Sequence, residues 1–212
     1  MKLMPVMLMC GLGVVLVASA APKPTRSSAN QTAAAAASNL AAHVELELDM
    51  AFKALEQGKP VIAEGLFAKA LAQAPGNRRG RFGLSTALIQ SDKYKEALEI
   101  LEKLLKETPK DYVLMNNIAW VYATARDIKT RNGARAVALA QDALLINPID
   151  CHVWSTLAEA YFISGRYDKA LRNAEQALRL SRETNMDAKL IEQYQLQVER
   201  SRRAAESSHI LE

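Results

Sequence analysis

Cysteine is nearly missing: Cys10 and Cys151 are the only two in 212 residues. A fold stapled by disulfides is therefore excluded, and packing must supply the stability. Glycine and proline are sparse, nine and seven, which leaves little material for the tight turns of an all-β domain. Charge of one sign is also absent. Lys and Arg number 27 against 23 Asp and Glu, a formal balance of +4, too even for an electrostatic binder of nucleic acid or lipid. Aromatic residues make up 6% of the chain, and no row of them accompanies the basic clusters Arg78, Arg79, Arg81 or Arg200, Arg202, Arg203 for base stacking. A long apolar run occurs only in the first twenty residues, which excludes an integral membrane bundle. No Gly-rich phosphate loop or G-x-S-x-G elbow is present. No two of the histidines His43, His152 and His209 stand at i+3 or i+4, so no metal site is indicated and no cofactor is expected. What abounds is alanine and leucine, together 63 of 212 residues, a usage that favours helix.

The N-terminus reads as an address. Lys2 precedes the apolar run Leu3 to Val17, and Ala18-Ser19-Ala20 supplies small residues ahead of Ala21. This is the pattern of a secretory signal peptide cleaved after Ala20, and it places the mature protein in the periplasm or outside the cell. Cys10 follows Met7-Leu8-Met9 in mid-run, so lipidation is not expected. The alternative is an inner-membrane anchor through residues 3–21, against which Pro5 and the small-residue exit argue. Residues 21–39, with Pro22, Pro24 and the run Ala33 to Ala37, offer no large side chain to bury and read as a linker.

The most informative feature is a recurrence. Pro75-Gly76-Asn77, Pro109-Lys110-Asp111 and Pro148-Ile149-Asp150 each place Asn or Asp two residues after a proline, at spacings of 34 and 39 residues. Proline stops one helix, since it has no N–H and clashes with the preceding turn. The Asn or Asp side chain then caps the next helix. A stop and a start recurring at this period indicate a helical repeat. Alanines keep the same register: Ala63 and Ala70, Ala97 with Leu104, Ala136 and Ala143, and Ala170 and Ala177. Small side chains at such positions let paired helices approach closely. Turn signals fall at Gly58, Asp92, Gly133 and Gly165. Helices are expected over 40–57, 60–74, 77–91, 93–107, 111–124, 132–147, 151–164 and 166–183. A last one follows over about 186–205, with Met186, Leu190, Tyr194 and Val198 as its apolar stripe and Gln195, Gln197, Arg200, Arg202 and Arg203 on its polar side. Val44 to Asp49 alternates like a strand, but Leu48, Phe52 and Leu55 restore helical spacing.

This arrangement resembles the tetratricopeptide repeat family. The unit over 151–184 matches best, through Trp154, Leu157, Ala158, Tyr161, Gly165, Tyr167, Ala170 and Ala177; units over 44–77, 78–111 and 112–150 stand in the same register. The resemblance implies an all-α, right-handed α-solenoid of about four helix-turn-helix repeats within 40–184. A C-terminal capping helix over 185–207 closes the stack, and 208–212 form a tail. It also implies a non-catalytic scaffold that binds a peptide or helix of another protein in a concave groove lined by the first helix of each unit. Carried over by position, the groove residues are Leu48, Phe52, Arg79, Phe82, Thr86, Asn116, Trp120, His152, Ser155 and Glu159. Core packing competes with groove lining for Leu55, Ile89 and Phe162, whereas Phe82 and Trp120 are assigned to the groove. Only Asn117 falls on a position of the carboxylate clamp known in one subclass, so that clamp is not expected. Together with the leader, this predicts an envelope protein that supports assembly of a pilus or secretion system, outer-membrane biogenesis or polysaccharide export. Neither nucleic acid nor a small-molecule substrate is expected. Two alternatives stand beside it. One is self-association, the groove accepting the chain's own last helix or a second copy. The other is thiol-dependent redox chemistry at Cys151, which sits at a helix start next to His152.

Overall fold

The computed structural model describes residues 28–210, with side chains from residue 37 onward. The leader over 1–20, its cleavage site and the alternative anchor over 3–21 lie outside the described residues. Among the described residues no helix is long and apolar enough to cross a membrane, and all regular structure is helical. The helices are α1 Ser28–Glu56, α2 Pro60–Gln73, α3 Arg78–Gln90, α4 Tyr94–Glu107, α5 Tyr112–Thr124, α6 Gly133–Ile146, α7 Cys151–Ile163, α8 Tyr167–Glu183 and α9 Ala188–Ile210.

The start signals act as expected. Asn77 accepts a hydrogen bond from the Gly80 N–H, Asp111 from those of Val113 and Leu114, and Asp150 from that of His152. Each satisfies donors that a helix N-terminus leaves without an intrahelical partner. Asn132 caps α6 in the same way, through the Arg135 N–H. Three of the four turn signals require left-handed backbone: Gly58 at φ 68°, Gly165 at φ 70° and Asp92 at φ 61°. Gly133 differs, being the first residue of α6. A Cβ there would stand 2.3 Å from the Ser164 hydroxyl oxygen, so its glycine serves close approach to the end of α7.

α1 begins at Ser28 rather than at 40. The stretch expected as linker is helical from that residue, because an alanine run has the best intrinsic propensity and extends a helix already nucleated by the packed segment beyond it. The strand-like alternation is helix too: Val44 and Leu48 are buried while Leu46 is exposed.

Two compact units result, one ending at Ser91 and the other beginning at Asp92. In the first, Val44, Leu48, Ala51, Phe52 and Leu55 of α1 pack with Ala63, Phe67 and Ala70 of α2 and Ala87 of α3. The Phe52 and Phe67 rings meet edge to face with centroids 5.0 Å apart. Beside them Glu47 is buried, yet its carboxylate bonds Lys69 at 2.6 Å, His43 at 3.0 Å and Gln73 at 2.8 Å. The hydrogen bond and charge of Lys69, with His43 in support, hold that carboxyl below the usual range. In the second unit Ala119, Ala140, Ala143, Val153, Leu157, Tyr161 and Ala170 form the core between α5 and α8. Ala158, Ala174 and Val198 join α7, α8 and α9. The register alanines Ala63, Ala70, Ala97, Ala136, Ala143, Ala170 and Ala177 are all buried, which confirms them as contact points between paired helices.

Candidate partner-binding surface

The residues expected to line a groove divide by unit. In the first unit α1 carries Leu48 and Phe52, and α3 carries Arg79, Phe82 and Thr86. Leu48 is fully buried, and Phe52 is 8% exposed. Thr86 is buried and donates its hydroxyl to the Phe82 carbonyl. These three side chains therefore belong to the core between α1, α2 and α3. Arg79 reaches Glu45 at 2.8 Å and Asp49 at 2.6 Å, and its guanidinium lies over the Phe52 ring, 4.8 Å from the centroid. Phe82 is half-buried. The competing assignments at Leu55 and Ile89 resolve toward the core, since both are buried.

In the second unit the positions come from α5 and α7. Asn116 and Trp120 of α5 are half-buried, and the Asn116 Oδ1 is buried with no hydrogen-bond partner. A buried carbonyl oxygen without a donor carries a desolvation cost. The α7 positions are engaged differently, because α9 lies across them. Tyr194 Oη bonds His152 Nδ1 at 2.8 Å. The Gln197 amide accepts from Ser155 Oγ at 2.9 Å and donates both to the Ser155 carbonyl at 3.0 Å and to Glu159 at 2.7 Å. Arg200 places Nη2 at 2.5 Å from both Glu159 carboxylate oxygens, with its guanidinium 4.2 Å from the centroid of the Phe162 ring. The last helix thus occupies the face of α7 that sequence position assigns to a ligand. Buried charge is tolerated there because Glu159 has both an opposite charge and an amide donor.

Tyr194, Gln197 and Arg200 make the contact of α9 with α7, a role that sequence reasoning missed. The helical pattern puts Gln197 and Arg200 on the polar, outward side of α9, yet Gln197 is buried and Arg200 half-buried. A signal did exist: they follow Tyr194 at i+3 and i+6, on the flank of the apolar stripe.

Cys151 lies beneath the same contact and is 4% exposed. Burial pushes its thiol above the ordinary range, more than the Tyr194 hydrogen bond lowers it. That is the opposite of what a nucleophilic thiol requires.

Comparison with known proteins agrees with this geometry. Tetratricopeptide repeat family models match residues 54–117 and 151–184. No curated protein matches the chain in sequence at a significant level. Among solved structures, the thermophilic tetratricopeptide repeat protein TTC0263 of Thermus thermophilus is 24% identical, with TM-score 0.57 over 65% of this chain and 74% of its own. MamA from residue 41 to its end, of Desulfovibrio magneticus, is 17% identical with TM-score 0.55, over 77% of this chain and 89% of its own. At these identities the likeness establishes the fold alone. Capped helix pairs in a shared register, buried small residues at their contacts and two matching family models converge: the chain is a tetratricopeptide repeat protein.

Proposed function

We propose that this protein is a non-catalytic scaffold of the bacterial envelope, exported by its leader to the periplasm, that binds a peptide or helix of a partner protein. In the second unit the contact is made by α5, through Trp120 as the apolar anchor and the Asn116 amide as the polar one. In the first unit Phe82 and Arg79 play the corresponding parts. Assembly of an envelope complex is the task such a scaffold serves.

The observation that carries this reading is the seat of α9 on α7. There an amphipathic helix is held by side chains at the second, fifth and ninth repeat positions, His152, Ser155 and Glu159. The corresponding positions of α5 include Asn116, whose carbonyl oxygen has no partner, and Trp120, which is half-buried. A helix in an apolar-anchored groove is a general recognition mode, and tryptophan is among the side chains that most often dominate such contacts. The α9 contact accords with one part of the self-association alternative, the groove accepting the chain's own last helix, since that helix lies on the α7 face. A photo-cross-linking side chain placed at Trp120 should yield a discrete protein adduct in cells, whereas one at the exposed Asp142 of α6 should not. Equal adducts at both positions, or none at Trp120, would refute the assignment.

A further inference from the structure

The scaffold reading makes no use of a group of metal-ligand side chains beneath the start of α7. Cys151 Sγ lies 3.3 Å from Met186 Sδ, which arrives from the turn between α8 and α9, 35 residues further along. One ligand atom from each of Asp150, Cys151 and His152 lies within 4.8 Å of the other two. Tyr194 Oη bonds His152 Nδ1 at 2.8 Å and stands 3.9 Å from Cys151 Sγ. The other ring nitrogen, His152 Nε2, is buried without a hydrogen-bond partner. Two sulfurs from separate elements therefore meet, with a ring nitrogen of His152 within 4.8 Å of the Cys151 sulfur. The spacing test applied to the histidines passes over this group, because Met186 is distant in sequence.

We propose that Cys151, Met186 and His152 form a binding site for Cu(I). The donor set selects the ion. A thioether is a soft ligand that Zn(II), Mg(II) and Ca(II) bind poorly, whereas thiolate, thioether and imidazole together suit Cu(I). Charge points the same way: a thiolate and a monovalent cation make a neutral pair, while a divalent ion would leave uncompensated positive charge in a buried site. Asp150 stands outside the set, since its carboxylate caps α7 through the His152 N–H. On binding, the Cys151 S–H bond breaks, an S–Cu bond forms and the proton passes to solvent, with no change of oxidation state. Tyr194 orients the imidazole, as outer partners do at metal sites. The ion reaches the sulfurs through Met186, which is half-buried in the turn.

The test uses the full chain carrying Cys10→Ser, so that Cys151 is the only thiol, titrated without oxygen against the Cu(I) complex of bathocuproine disulfonate. The expected result is transfer of one equivalent of Cu(I), weakened about tenfold or more by Met186→Leu and by Cys151→Ser. Unchanged helical circular dichroism will show that both variants are folded. No transfer to the parent chain, or an affinity left unchanged by either substitution, would overturn the site. Neither outcome touches Trp120, so the scaffold reading stands or falls separately.

Discussion

Replacing Gly83 by alanine sets two effects of one methyl group against each other. In an exposed helix interior the change stabilises, by about 0.5–1 kcal/mol, because alanine loses less backbone entropy. Gly65 of α2 is such a position: it is exposed, and a Cβ there would meet nothing within 4 Å. Gly83 of α3 is not. A Cβ at Gly83 would stand 2.3 Å from both Cε1 and Cζ of Phe67 and 2.9 Å from Cζ of Phe52. Phe67 is fully buried and Phe52 is 8% exposed, so neither ring can swing into solvent. Overpacking of this kind costs about 1–3 kcal/mol. The propensity gain is common to both variants, so their difference isolates the clash. Gly83→Ala should therefore be less stable than Gly65→Ala by about 1–3 kcal/mol. Urea unfolding followed by circular dichroism reads this directly, with both variants compared at equal slope. Equal stabilities would refute the close approach of α3 to the Phe52 and Phe67 rings, and with it the packing of the first unit.

Three further outcomes are expected. Arg200→Ala should destabilise by about 3 kcal/mol, the low end for a broken buried pair, since a third of the Arg200 side chain meets solvent while the Glu159 side chain is 8% exposed. Adding Glu159→Gln should recover part of that loss, and urea midpoints of the single and double variants check it. Burial pushes the His152 imidazole below its ordinary value, against the opposing charge of Asp150. The unfolded chain then binds the extra proton first. Its stabilising contribution is complete above about pH 6.5 and is lost as the pH falls through that value toward the folded one. Between pH 7.5 and 5.5 the parent should lose more stability than His152→Asn; equal losses would contradict the burial. Because burial also raises the Cys151 thiol, iodoacetamide should label it far more slowly in the folded Cys10→Ser chain than in urea, and similar rates would restore the case for a reactive thiol.

Much of the architecture could be read from the chain because it rests on local chemistry. A proline, a following Asn or Asp and an alanine at fixed distance specify stop, start and contact without reference to distant residues, and Asn77, Asp111 and Asp150 all cap as that logic requires. The start of α1 was less legible. A segment without large apolar groups reads as unstructured when burial is the criterion, yet helix propensity carries the alanine run from Ser28 once the packed segment beyond it has nucleated the helix.

The candidate surface was legible as positions and not as surroundings. Family register put Leu48, Thr86 and Trp120 on one nominal list, but neighbouring helices decide which of them meets solvent. Leu48 and Thr86 are buried, while Trp120 is only partly so. The covering of His152, Ser155 and Glu159 depends on a helix about 40 residues further along, and its polar contacts run against the apolar stripe that marked it as a cap. The spacing of Tyr194, Gln197 and Arg200 marks one flank of α9, but not the distant α7 side chains that this flank meets.

The most direct test of the central claim is partner capture in cells by chemical cross-linking, compared among the parent chain, Trp120→Asp and Leu145→Asp. Leu145 lies on α6 and is 85% exposed, so its substitution controls for added charge. Trp120→Asp should abolish the partner adduct with helical content unchanged, while Leu145→Asp should retain it. Undiminished capture by Trp120→Asp would contradict the assignment of the binding surface to α5.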